Sequence, residues 1–581
     1  MKPVEQRRSG CGVVARAAWP ALPALLVLLL GGGLAPGVDR AGGDPAEGDS
    51  TPAPPAPLFT AETIPGFLHS SGATGRRYLV ETMGSGLAWV DLDRDGDLDL
   101  LLLDGGPLES EPRRTAAPRS RLLRNDGRGG FTDVTDESGI VLPDYAMGCA
   151  VGDVDGDGDP DLFVSCFGRD RLLLNEGGLR FRDGTEAAGL GDEGWGASAA
   201  FADLDGDGDL DLFVTRYLDF TVATHRECSL GRGIPTYCSP AAYDGVPDLL
   251  YRNDGAGRFE EVGATVGVGA RSGRGLGVWL GDLDGDLDVD IYVANDGEEN
   301  ALFRNRGDGT FEDDSLISGA GYDANGAAEA GMGIAAGDVD GDARVDLLVT
   351  HLSSETNTLY LAEGGGFYRD ATRARGLAAP SLPMTGFGTA LADFDRDGHL
   401  DLVVANGHVI DNIHEFGDLF DYRQRDQLFR GGPTRFEEPA GWLSGDLLPG
   451  VGRGLAVGDA DGDGDLDWLV SQCDGPAVLY RSNGAGAGHW LTIRLEARGL
   501  GRVVAGARVE VHGEQRRWVH ALGSGGSYLT ATEPEATFGL GADPGPVTVI
   551  VHWPDGSRVE RAAVEVDRVL VLTGPDAAGP R

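Results

Sequence analysis

A nine-residue stretch with aspartate at positions 1, 3, 5 and 9 recurs seven times along this chain. The acidic positions are Asp91, Asp93, Asp95 and Asp99 in the first copy, and Asp153, Asp155, Asp157 and Asp161 in the second. The third holds Asp203, Asp205, Asp207 and Asp211, and the fourth Asp282, Asp284, Asp286 and Asp290. The fifth holds Asp338, Asp340, Asp342 and Asp346, the sixth Asp393, Asp395, Asp397 and Asp401, and the seventh Asp459, Asp461, Asp463 and Asp467. Carboxylates packed this closely repel one another unless a cation lies between them. Flexible, highly charged sets of oxygen donors select Ca2+ over transition metals, and Mg2+ demands a stricter octahedron. The pattern predicts up to seven Ca2+ ions, one per copy.

The variable positions refine this chemistry. Position 7 is Asp97, Asp159, Asp209, Asp288 and Asp465 in five copies but Arg344 and His399 in the others, as expected where a loop offers its backbone carbonyl to the metal. Position 6 is Gly in five copies, where a turn needs positive φ. Leu287 and Ala343 stand there in the fourth and fifth, so those loops are expected to be strained or differently shaped and to bind metal more weakly. Position 12 is apolar throughout, from Leu102 to Val470, which excludes an EF-hand with its closing Glu. The Asp at position 9 is expected to close each site.

Around each loop the hydrophobic pattern gives the elements that hold it. A Gly-containing apolar segment precedes the loop and a run such as Leu100-Leu101-Leu102 follows it. A third segment ends in Arg-Asn (Arg124-Asn125, Arg304-Asn305), and a fourth begins with Phe after a Gly turn (Phe131, Phe259, Phe311). Successive loops lie 62, 50, 79, 56, 55 and 66 residues apart, the length of four short strands with turns. Seven such units predict an all-β fold, a seven-bladed β-propeller over residues 58–485, which as a closed ring leaves few strand edges exposed. From residue 486 to 573 the Asp loops stop and strand-like runs alternate with Gly-rich turns, which predicts a small β-sandwich domain, with Trp490 and Trp553 in its core.

Before the repeats, residues 1–37 combine Lys2, Arg7, Arg8 and Arg16 with a Leu-rich run, the pattern of a signal peptide or an N-terminal anchor. Residues 38–57 form a Pro/Ala-rich linker and 574–581 a tail. The chain is therefore expected to be secreted, periplasmic or at the cell surface. Cys228 and Cys238, which bracket a short loop inside an insertion, are expected to form a disulfide. Cys149 and Cys166 flank one Asp loop and could face each other across a hairpin, which leaves Cys473 as a buried thiol. With 48 Lys+Arg against 93 Asp+Glu, the formal charge of −45 argues against nucleic acid or an anionic membrane as partner.

The repeats resemble the FG-GAP/VCBS blades of integrin α-subunits, which carry calcium in similar loops. The chain after the linker resembles bacterial relatives of cartilage acidic protein more closely. That likeness rests on Tyr217-Leu-Asp-Phe-Thr221, Tyr237-Cys238-Ser239-Pro240, Val293-Ala-Asn-Asp296 with Asn300, Gly331-Met-Gly333 and Asn406-Gly-His408. The last domain resembles ASPIC/UnbV through Gly506-Ala-Arg-Val509, Gly525-Gly-Ser-Tyr528, Phe538-Gly-Leu-Gly541 and Trp553-Pro-Asp-Gly556. The resemblance implies an architecture; a propeller hosts many functions.

Two function classes follow. The first is an extracellular scaffold that binds a protein or glycan, with contacts supplied by insertions at residues 104–120, 216–246 and 406–427. The alternative is an enzyme with a polar site at the propeller channel, built from His351, His408, His414, Asn295, Asp296 and Asn406. No nucleophile elbow, zinc motif or phosphate loop supports catalysis. Arg306-Gly307-Asp308 falls where a turn between the third and fourth strands of a blade is expected, and reads as that turn.

Overall fold

The computed structural model describes residues 57–574 apart from 107, 109–119, 232, 418, 444–448, 485–487, 498–499 and 543–544. The signal or anchor, nearly all of the linker and most of the 104–120 insertion lie outside the described residues.

Each Asp loop joins the first and second strands of an antiparallel meander. In the first sheet the strands are Leu87–Val90, Asp99–Leu102, Arg121–Asn125 and Phe131–Asp133. The position-9 Asp opens the second strand of every sheet, at Asp99, Asp161, Asp211, Asp290, Asp346, Asp401 and Asp467. The last sheet takes its outer strand from the start of the repeats: Phe59–Thr63 pairs with Val478–Ser482. First strands pack side by side around an axis, and Gly452–Gly458 of the last sheet packs against Leu87–Val90 of the first. The N-terminal strand thus ties the ring shut.

Apolar runs with no polar alternation suit strands covered on both sides. Leu100 and Leu102 pack toward Ala456, Leu469 and Leu479 of the last sheet, while Leu101 and Leu103 pack toward Cys149, Leu162 and Val164 of the second. Successive side chains of one strand therefore feed two different cores, as the period of two requires.

The C-terminal domain is a sandwich of two sheets. One orders Glu535–Gly541, His489–Glu496 and Arg568–Thr573; the other orders Arg517–Ala521, Arg508–His512, Val547–His552 and Arg558–Val564. Leu491, Ile493, Val509, Trp518, Val551 and Trp553 fill the space between them. Trp490 does not join this core. It lies against Gly464 of the seventh Asp loop, with the Arg396 guanidinium 5.6 Å from its ring centroid. Gly is required at 464, since an added Cβ would stand 2.2 Å from that indole.

One stretch leaves the sandwich and enters the ring. Ser524–Gly525 pairs with Trp279 and Leu280, and Thr530–Thr532 runs parallel to Leu87–Trp89. Between them Ser527 exchanges backbone hydrogen bonds with Ile334, and its Oγ donates to the Leu455 carbonyl at 2.7 Å and accepts from the Thr389 N–H at 3.2 Å. Leu529 N–H donates to Ser198 Oγ at 3.0 Å. Tyr528, fully buried, donates to the Met83 carbonyl at 3.0 Å and meets the Phe387 ring edge-on. A single segment touches first strands all around the ring, so the propeller axis is filled by the C-terminal domain.

Candidate metal loops

Within each loop, backbone amides hold the carboxylates in place. Position 1 accepts from the position-6 N–H in all seven copies, as in Asp153 Oδ2 from Gly158 at 3.0 Å. Position 5 accepts from the position-7 N–H, as in Asp207 from Asp209 at 3.2 Å. Position 9 uses both oxygens. One accepts from the position-2 N–H, and the other accepts from a backbone N–H at the end of the third strand, such as Asn175 at 2.8 Å from Asp161.

This framework brings positions 1, 3 and 9 together. In the first five loops one oxygen from each lies within 4.8 Å of the others. Oxygens bound to one Ca2+ at roughly 2.3–2.6 Å can be no farther apart than about 5 Å, so the triads fit that ion. Position 5 lies outside these triads. Asp91 Oδ1, Asp155 Oδ1, Asp205 Oδ1 and Asp209 Oδ1 are buried without a hydrogen-bond partner, the state in which a carboxylate oxygen gains most from a cation.

The electrostatics agree. Burial drives the position-9 carboxyls up, Asp99 to about 7, Asp161 and Asp290 to about 8, Asp346 and Asp467 to about 7, with Asp211 and Asp401 well above the usual carboxylate range. Asp203 is pushed to about 6 and Asp393 to about 7, again first by burial and then by neighbouring Asp charges net of backbone hydrogen bonds. Ionising such clusters at neutral pH costs free energy that a divalent ion would offset.

Leu287 and Ala343 adopt the same left-handed turn as their Gly counterparts, at φ 75° and 70°. The fourth and fifth loops are therefore strained but not differently shaped. Position 4 is left-handed as well, and there Arg94 and Arg396 stand at φ 60° and 58°. Gly208, at φ 95° with open space around it, isolates the backbone term. Gly208→Ala is expected to cost about 1 kcal/mol, the left-handed penalty of an L-residue, with weaker metal binding at the third loop, measured by urea unfolding and calorimetric titration.

The Asn that ends the third strand performs a task its spacing does not reveal. Asn253 Nδ2 donates to the Leu210 carbonyl of its own loop at 3.1 Å and to the Val154 carbonyl of the preceding loop at 2.9 Å. Asn175 and Asn305 repeat this, and Asn125 reaches Ala460 of the seventh loop, across the ring closure. Adjacent loops are thus mechanically linked. Asn253→Ala is expected to destabilise by about 1–3 kcal/mol, because two buried carbonyls lose their donor; unfolding by denaturant measures it.

Of the polar groups of the enzyme alternative, Asn295, Asp296, His351, Asn406 and His408 lie at or just beyond the ends of second strands. They are on the face opposite the loops and hold turns, whereas His414 lies in the short 3-10 helix Ile413–Phe416. Asn295, His351 and Asn406 each donate their backbone N–H to the side chain of Asn300, Asn357 or Asp426. His351 Nδ1 lies 2.7 Å from the Thr356 carbonyl, Asp296 accepts from the Tyr217 hydroxyl at 2.5 Å, and His408 Nδ1 accepts from the Ile410 N–H. His414 is exposed. His351 and His408 do not share a partner, and the axis beside them is closed by Tyr528 and Arg453, whose guanidinium is fully buried over Phe387.

Cys228 and Cys238 form the expected disulfide, with Cα atoms 5.1 Å apart. Cys149 and Cys166 are separate buried thiols, because the hairpin register sets Cys149 opposite Val164 and Cys166 opposite Ala146. Cys473 is a buried thiol too. Arg306-Gly307-Asp308 forms the turn between Ala301–Asn305 and Phe311–Asp313, with Gly307 at φ 74°.

Residues 91–164, 153–214, 282–349 and 338–404 match the FG-GAP-like repeat, each match running from position 1 of one loop to position 12 of the next. Residues 499–579 match the family ASPIC and UnbV. The chain is an FG-GAP-repeat protein with an ASPIC and UnbV domain. It is 31% identical over 358 residues to cartilage acidic protein 1 of Homo sapiens, covering 58% of this chain and 51% of that protein. The Xenopus tropicalis protein of the same name is 28% identical over 334 residues, covering 55% and 47%. The chain thus spans about half the length of the curated relatives it matches. Among solved structures it is similar to the BP39L lectin from Burkholderia pseudomallei, with 14% identity, a TM-score of 0.43, and coverage of 69% of this chain and 96% of the lectin.

In this FG-GAP-repeat protein the ASPIC and UnbV domain lies on the loop face. Gly541 N–H donates to the Arg396 carbonyl at 2.9 Å, Arg516 donates to the Asp397 carbonyl at 3.1 Å, and Arg94 pairs with Glu496 at 3.2 Å. The opposite face is roofed by the insertion that carries the disulfide. Tyr237 donates to Glu81 at 3.1 Å, and Asn412 donates to the Pro235 carbonyl at the same distance.

Proposed function

We propose that this chain is a secreted, calcium-stabilised seven-bladed propeller that serves as an extracellular binding scaffold, and that its ligand, a protein or glycan, is met on the face opposite the Asp loops. The buried carboxylate oxygens without partners carry the calcium reading: Asp155, Asp205 and Asp209 each hold one inside a converging acidic loop. Asp155 and Asp205 belong to the triads of positions 1, 3 and 9 that would bind the ion. Bound there, Ca2+ supplies charge neutralisation and a rigid link between the first and second strands of each blade.

The choice of face follows from coverage. The ASPIC and UnbV domain covers much of the loop side, whereas the insertion at residues 216–246 projects on the other, pinned by its disulfide. A rigid frame carrying tethered loops suits recognition. Among the described residues no helix is long and apolar enough to cross a membrane. The test is a binding screen with immobilised glycans and extracellular proteins, using the whole chain and a variant in which residues 219–244 are replaced by a short Gly/Ser linker. The scaffold reading expects a ligand that the intact chain binds in calcium and the variant does not. A ligand bound equally by both would move the surface elsewhere.

A further inference from the structure

The first Asp loop differs from the other six in one respect. Its position-1 carboxylate already has a cationic partner, and that partner comes from the C-terminal domain. Arg502 Nη1 lies 3.0 Å from Asp91 Oδ2 and 2.6 Å from Glu533 Oε1. Glu533 in turn accepts the Asp91 backbone N–H through Oε2 at 3.2 Å, so Asp91, Arg502 and Glu533 form a closed ring of contacts. The Asp91 and Glu533 side chains are 0% and 2% exposed, so water screens this pair little. A second guanidinium, Arg124, lies 3.3 Å from Asp93 and 3.5 Å from Asp95. Arginines from third strands approach position 3 of other loops too, as Arg252 does at Asp205 and Arg481 at Asp461. Among the described residues, none of the other position-1 carboxylates, from Asp153 to Asp459, has an ion pair.

Resting on the calcium reading above, we infer that Arg502 takes the place of a metal at the first loop: the ASPIC and UnbV domain docks there by its own guanidinium, and the chain binds Ca2+ tightly at six loops rather than seven. A fixed positive charge on Asp91 Oδ2 repels a divalent ion at the same carboxylate and offsets part of the negative charge that would otherwise attract it, although Asp91 Oδ1 itself has no hydrogen-bond partner. Docking of the domain at this loop is consequently independent of calcium, while the remaining loops depend on it.

Calorimetric calcium titration of the whole chain tests this directly. Asp461→Asn, at the seventh loop, should remove one tight site, whereas Asp91→Asn should remove none. Arg502→Met, which keeps the side chain's bulk, should add one site, at least roughly tenfold tighter than any binding at that loop in the parent, as expected for removing a unit charge beside a divalent ion. The double variant Arg502→Met/Asp91→Asn should lose that gain. A tight site lost in Asp91→Asn, or an unchanged count in a folded Arg502→Met, overturns the inference. Should Arg502→Met fail to fold, the contrast between Asp91→Asn and Asp461→Asn decides alone. If the parent chain binds no calcium at all, the calcium reading itself falls and this inference with it.

Discussion

Removing the segment that fills the propeller axis is expected to unfold the ring. Tyr528 is fully buried among Met147, Leu276 and Phe387, from the second, fourth and sixth sheets, and Tyr78 and Met83, which precede the first strand of the first sheet. Tyr528→Ala deletes an aromatic ring from that centre and leaves the Met83 carbonyl without its donor, so a loss of about 3–5 kcal/mol is expected, measured by urea unfolding. Ending the chain before residue 486 is a larger change. It exposes the axial cluster and strips Leu87–Trp89, Trp279 and Ile334 of their pairing with the insert. Such a truncated chain is expected to aggregate or to melt well below the whole protein. A truncation with the same melting temperature as the parent would show that the insert is an accessory and not part of the core.

Withdrawing calcium is the second large effect. A ligand bound only by the folded state stabilises it by about 2.7 kcal/mol per site at a free concentration about 100 times its dissociation constant. Several sites linked from loop to loop by Asn125, Asn175, Asn253 and Asn305 should act on the ring as a whole. A chelator is therefore expected to lower the melting temperature by more than about 10 °C, an effect reversed by Ca2+ and much less by Mg2+. The effect depends on pH in a definite direction. Unfolded Asp titrates near about 4, whereas burial raises Asp99, Asp346 and Asp467 to about 7 and Asp161 and Asp290 to about 8 in the metal-free fold. A raised folded-state value contributes stability that is complete below the unfolded value and is lost as pH climbs through the folded one. The metal-free chain should thus weaken between about pH 5 and 8, and the gap between chelated and calcium-loaded melting should widen over the same range. A gap that narrows as pH rises would contradict this.

Much of this molecule was legible in its residues. The Asp spacing, the four-strand unit, the Cys228–Cys238 disulfide and the sandwich after residue 486 all have local signatures of turn chemistry and period two. The local signals had limits within the loops. Leu287 and Ala343 suggested a different loop shape, but at each the N–H donates to the position-1 carboxylate as in the other loops, and the left-handed turn is kept against the side-chain preference. Contacts between residues hundreds of positions apart left no such trace. Gly525-Gly-Ser-Tyr528 shows two residues able to approach a backbone closely, but nothing local says that the backbone approached is the axis of the ring. Trp490 looked like core for the same reason, since apolarity does not distinguish a domain's interior from its contact with a neighbour. Arg502 carries no motif, and only its placement beside Asp91 and Glu533 gives it meaning.

The most direct test of the central claim is a calcium titration of the metal-free whole chain near neutral pH, followed by calorimetry and by counting bound ions in native mass spectrometry. The Asp loops predict saturable binding of several Ca2+ ions per chain, six of them tight, with protons released as the buried carboxyls ionise. A chain that takes up no calcium in the millimolar range, and releases no protons on its addition, would mean that the loops are turns held by their own amides and arginines, and that the metal reading is wrong.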